Sequence, residues 1–116
     1  MIFNFSIDGY FRNGFKLILE DDKLLCKISK ALRDYETTVI LVSDDPDWKN
    51  LLLFLSKLKW KAAYDTPVLD GTQWSFHFKT GKFQITSHGS NGYPQEFEDF
   101  LILVNNITKK HGIDIH

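Results

Sequence analysis

Cysteine is nearly absent from this chain: Cys26 is the only one in 116 residues. A single thiol excludes an intramolecular disulfide and any zinc site built on cysteines. It leaves Cys26 to be a small, buried, apolar side chain. Proline and glycine are scarce as well, three and seven, and they fall at the borders of patterned segments. No linker, repeat or low-complexity tract is visible, which predicts one domain over residues 1–116. No apolar run approaches the roughly 18 residues that span a bilayer, and no charged-then-apolar leader opens the sequence. The expectation is a soluble, cytoplasmic protein without a membrane partner, and the sequon Asn106-Ile107-Thr108 is read as chance. Charge of one sign is lacking too, with 14 basic against 15 acidic side chains. A chain so balanced does not attract a polyanion, so nucleic acid is not an expected partner.

What is abundant is apolar and aromatic. The sequence is 43% hydrophobic and 15% aromatic, with ten Phe, which excludes disorder and points to strands and a packed core. Phe3, Phe5 and Ile7 alternate with Asn4 and Ser6, the period of a half-buried strand. Asp8-Gly9 and Asn13-Gly14 are turn dipeptides bracketing Tyr10 to Arg12. A second strand runs Phe15 to Glu20. Residues 23–34 also fit a helical stripe through Leu25, Ile28, Leu32 and Tyr35. A hairpin is preferred because a turn at Asp21-Asp22 sets Leu19 opposite Leu24, Leu17 opposite Cys26 and Phe15 opposite Ile28 on one face. Glu20 then meets Lys23, while Lys16 opposite Lys27 is an unfavourable like-charge pair. Val39 to Val42 reads as a fourth strand.

Asp45-Pro46 opens a helix, Asp45 as cap and Pro46 at its first position, with Trp48, Leu51, Leu52, Leu55 and Leu58 as its stripe. The acids Asp44, Asp45 and Asp47 lack the glycine and distal Glu of a calcium loop and read as a solvated cap. Trp74, Phe76 and Phe78 then alternate with polar residues, as do Phe83 and Ile85. A turn at Thr80-Gly81 pairs Phe78 with Phe83, Phe76 with Ile85, Trp74 with Ser87 and Gln73 with His88. The last helix is placed from Pro94, with stripe Phe97, Phe100, Leu101, Val104 and Ile107, and stops at Lys109, Lys110, His111 and Gly112. The fold class is α+β: an antiparallel sheet of about six strands, in the order ββββ-α-ββ-α, with two helices packed on one face.

That hairpin brings the Asp70-Gly71 and Gly89-Ser90-Asn91-Gly92 loops to one end of the sheet. Asp70, Gln73, Trp74, His88, Ser90, Asn91 and Tyr93 become candidate binding residues for a ligand or partner. Two readings stand side by side. Backbone N–H groups between two glycines can hold an anion, although the second loop has no Lys or Arg. Alternatively, Asp70 and Asn91 bond to nearby backbone and tie the loops together. No metal site is assembled, since only His88 and Asp70 converge. Ser87 and Ser90 beside His88 have the residue types of a hydrolytic triad but no nucleophile-elbow pattern. No catalytic residue and no cofactor is assigned, and the balance is against an enzyme. Trp60 and Tyr64 are an aromatic pair, read as a plug over the edge of the sheet before an exposed patch.

Leu69-Asp70-Gly71-Thr72-Gln73-Trp74-Ser75, followed by Ser87-x-Gly89-Ser90-Asn91-x-Tyr93-Pro94-x-x-Phe97, resembles a pattern of small bacterial proteins to which no activity is attached. Trp48 and the spacing from Trp60 to Tyr64 match its upstream part, and the resemblance covers residues 37 to 105. It implies a bacterial origin and a shared fold. The pattern usually has a residue other than His at position 88, which argues against His88 as an invariant catalytic group. The expectation is a non-catalytic protein-interaction domain, of which a partner-occluding, immunity-type protein is one concrete version. The alternative is a small-ligand-binding or enzymatic domain using the Asp70 and Gly89–Tyr93 loops.

Overall fold

The computed structural model describes residues 1–9, 12–30, 34–66 and 71–115. The elements are β1 (Ile2–Gly9), β2 (Arg12–Glu20), β3 (Lys23–Lys30), β4 (Asp34–Leu41), α1 (Pro46–Leu55), β5 (Ala63–Asp65), β6 (Thr72–Thr80), β7 (Phe83–Ser90) and α2 (Phe97–Thr108). The strands form one sheet in the order β4-β3-β2-β1-β6-β7-β5. All pairings are antiparallel except β5 with β7. The predicted α+β class with two helices holds, with seven strands rather than six. The extra strand, β5, is three residues long and too short to carry an alternation. The turn segment Tyr10 and Phe11, and the site residue Asp70, lie outside the described residues.

The second hairpin follows the sequence pattern pair for pair. Leu19 faces Leu24, Leu17 faces Cys26, Phe15 faces Ile28, and Lys16 does sit opposite Lys27. The fourth strand begins earlier than its β-branched run, at Asp34. The β6–β7 hairpin corrects the expected register. Phe78 pairs with Ile85, Phe76 with Ser87, Trp74 with Gly89 and Gln73 with Ser90. The two-residue loop is Gly81-Lys82, not Thr80-Gly81. Gly81 takes φ 56° at the first loop position, where a side chain is disfavoured. Moving a two-residue loop by one residue shifts the pairing by two, so every side chain keeps its predicted face.

Phe3, Phe5, Ile7, Phe15, Leu17, Leu24, Cys26, Ile40, Trp74, Phe76, Phe78 and Ile85 all turn to one face and are buried. The stripes of α1 (Trp48, Leu51, Leu55) and α2 (Phe97, Phe100, Val104, Ile107) close over them. Rings interlock edge to face: Phe3 with Phe76 at 5.2 Å, Phe5 with Phe100 at 4.9 Å, and Phe3 with Trp48 at 5.3 Å. Each such pair adds about 0.5–1.5 kcal/mol beyond its buried area. The last helix starts three residues later than expected. Phe97 N–H donates to the Pro94 carbonyl (3.1 Å), making a turn before the helix. Among the described residues, no helix is long and apolar enough to cross a membrane.

Asp45 caps α1, accepting from Asp47 N–H at 2.9 Å. The cap is not simply solvated: Lys110, beyond α2, reaches Asp45 at 2.7 Å and Asp47 at 2.8 Å. Burial pushes the Asp45 carboxyl up. The Lys110 ammonium and the Asp47 and Trp48 N–H groups outweigh it and hold the carboxyl below its ordinary 3.8. A depressed folded pKa means stabilisation that is present above pH 3.8 and lost as pH falls through the folded value. Thermal melts between about pH 2 and 6 should show Asp45→Asn flattening the acid limb. At neutral pH the same variant keeps an acceptor for the Asp47 N–H and loses only the partly exposed ion pair with Lys110, so it should cost about 0.5 kcal/mol.

Candidate functional site

The predicted site residues separate onto the two faces of the sheet. Gln73, His88 and Ser90 project to the face without helices, the open face, where they line a groove of about 510 Å³. Its other polar walls include Ser6 and Asp8 of β1, Lys16 of β2, Ser75 of β6 and Asp65 of β5, and Gly14 also lines it. The Ser6 and Ser75 hydroxyls bond to each other at 2.7 Å. His88 Nδ1 stands 3.9 Å from Asp65, both side chains 58% exposed, a weak and water-screened pair.

Trp74 faces the other way. Its indole is 3% exposed and donates to the Gly92 carbonyl at 2.8 Å. Phe97 lies 4.8 Å away, Trp60 5.7 Å and Tyr64 6.1 Å. Gly89 is required there, because a methyl on it would run into Trp74 Nε1 and the Gly92 carbonyl. Trp60 donates to Glu96 at 3.0 Å, which occupies the carboxylate at the N-cap position of α2. The two aromatics flagged upstream thus plug the end of the core. Tyr64 does so from β5, whose parallel pairing with β7 is reinforced by Ser87 Oγ donating to the Lys61 carbonyl at 2.6 Å. That bond commits Ser87 to the buried side, away from His88, so the two do not form a nucleophile and base.

Asn91 ties the loops together. It sits at φ 57°, its Oδ1 accepts from Thr72 N–H at 2.8 Å, and its N–H donates to the Thr72 carbonyl at 2.8 Å. Tyr93 lies on the helical side, 45% exposed, its ring 4.9 Å from Phe97. The seven residues therefore do not form one site: Gln73, His88 and Ser90 turn their side chains to the open-face groove, Trp74 borders it while its indole is buried on the other side, Asn91 and Tyr93 serve that other side, and Asp70 lies outside the described residues.

Cys26 is fully buried, and burial pushes its thiol up to about 11, so it is protonated at neutral pH. Among the described residues no three His, Cys, Asp or Glu side chains converge on a common point, and no buried side-chain polar atom lacks a partner. The sequence reading missed a second feature of the open face. Ile18, Leu25 and Val39 lie directly opposite one another across β2, β3 and β4. Leu41 sits beside them, and Val39 and Leu41 are 53% and 64% exposed. Their odd-and-even placement against the core residues was the available signal. No protein-family model, curated protein or solved structure matches the chain.

Asn91→Ala loses a hydrogen bond and retains an unfavourable left-handed backbone. It should destabilise by about 2–3 kcal/mol, and Asn91→Gly, which keeps the backbone easy, by about 1 kcal/mol. Urea unfolding of the two variants reads the difference. Equal losses would show that backbone conformation contributes nothing.

Proposed function

We propose that this protein is a non-catalytic protein-binding domain that receives its partner on the open face of the sheet. The observation that carries the reading is the row Ile18-Leu25-Val39 with Leu41, apolar side chains left on a face that no helix covers. Contiguous exposed apolar surface of this kind marks interaction sites. Occlusion of a partner, as an immunity-type protein does, is the concrete form we favour, since binding by such a face needs no reacting group.

Site-specific photo-crosslinking in the native host tests this. A benzophenone side chain at position 39 should give a discrete adduct. The same group at position 53, exposed on α1, should not. Adducts from position 53 alone, or from neither, would overturn the reading.

A second reading is favoured by the groove, whose walls of serine hydroxyls, the Gln73 amide and the Asp8, Asp65 and Lys16 charges suit a small polar ligand. Gly14 offers a clean test, because a Cβ there meets its nearest neighbours at an ordinary 3.5 Å. Gly14→Val should fill the groove while leaving the melting temperature unchanged or higher. A polar metabolite that raises the melting temperature of the wild type should have no effect on the variant. A shift of the same size in both would place the ligand elsewhere.

A further inference from the structure

The charges around the apolar row say what kind of partner it takes. Along the strands, the row Ile18-Leu25-Val39 is flanked on one side by Lys16 and Lys27, directly opposite each other. On the other side it is flanked by Glu20, Lys23 and Leu41, again in one line across three strands. Lys79 of β6 lies opposite Ile2, a further exposed apolar residue of the same face. Four lysines therefore rim the apolar surface against one glutamate, with Asp21 and Asp22 confined to the turn at its end. None of the four lysines has an ion-pair partner among the described residues. The whole chain is balanced, so this face departs from its own average.

Lys16 opposite Lys27 is the most telling pair. Like charges directly across two strands destabilise a sheet, and the residues directly opposite them on their outer sides, Ser6 and Thr37, carry no charge. The floor itself, Ile18, Leu25, Val39 and Leu41, is aliphatic. An aliphatic floor offers nucleic-acid bases nothing to stack on. Aliphatic side chains on an acidic polypeptide fit both the floor and the rim.

Resting on the protein-binding reading above, we infer that the open face of β1–β4 docks an acidic amphipathic helix of another protein, its apolar side chains on Ile18, Leu25, Val39 and Leu41 and its carboxylates on Lys16, Lys23 and Lys27. Strands are spaced about 4.8 Å apart and neighbouring side chains on a helix face about 5–6 Å, so a helix laid across the strands follows the row. It completes a three-layer sandwich of which the chain supplies two.

The test uses the isotope-labelled full chain and a synthetic amphipathic helix of Leu and Glu, with a Leu/Lys peptide of the same pattern, an oligothymidylate and phosphatidylglycerol vesicles as alternatives. The Leu/Glu peptide should shift the backbone amides of Lys16, Leu25, Lys27 and Val39, and bind more weakly as salt is raised. Lys27→Glu should weaken that binding at least tenfold and yet raise the melting temperature, because it converts a like-charge pair into an opposite one. Lys27→Arg should restore binding. A merely structural role for Lys27 moves stability and leaves peptide affinity alone. Equal binding of the Leu/Lys peptide on the same residues overturns the acidic preference while the binding-face reading stands. Tighter binding of the oligothymidylate or the vesicles, or no shift of those amides with Leu/Glu, overturns the inference. Crosslinking from position 39 reads the face regardless of charge, so the two failures are told apart.

Discussion

The pairing of β1 with β6 is the constraint on which the rest of the molecule depends. β1 is the first strand in the chain and the middle one in the sheet. Phe3, Phe5 and Ile7 stand opposite Phe78, Phe76 and Trp74, joining a four-strand meander to a hairpin that starts 31 residues after β4 ends. Residues opposite each other in a sheet share a face. Once these six large side chains are turned toward the helices, every strand on either side has its faces assigned. The lysines, Ile18, Leu25 and Val39 are on the open face because phenylalanines two strands away are not.

The same rule explains how much the sequence discloses. Faces are local: alternation in Trp74–Phe78, or in Phe15–Leu19, identifies the buried side from a few residues. Register is partly local, and it came out right where the turn allowed one solution, at Asp21-Asp22. It came out two residues off where Gly81 could serve as the first or the second loop residue, since both choices bury the same side chains. The β1–β6 pairing has no local signature, because it joins segments some seventy residues apart. β5 has none either: Ala63-Tyr64-Asp65 becomes a strand only because β7 offers an edge to it.

The candidate site was legible in the same uneven way. Alternation put Gln73 and His88 on one face and Trp74 on the other, and the fold keeps that division. The grouping of all seven residues relied on loop proximity, which does not distinguish a loop that binds from a loop that is bound. Asn91 shows the difference: its backbone N–H and its side-chain oxygen are both bonded to Thr72. Net charge was the least informative number. Fourteen against fifteen describes the chain, whereas a partner meets a face, and the acids of this chain gather partly elsewhere: Asp45 and Asp47 at the start of α1, Glu98 and Asp99 at the start of α2.

The open face is chemically divided along its length, and the division follows from strand order. Towards β5 and β7 it is serine, Gln73 and two acid–base neighbourhoods around a groove; towards β4 it is aliphatic with lysines at its rim. A polar groove and an apolar row do not compete for the same occupant, because each excludes what the other accepts on desolvation grounds. Lys16 is the residue common to both, a wall of the groove and a rim of the row.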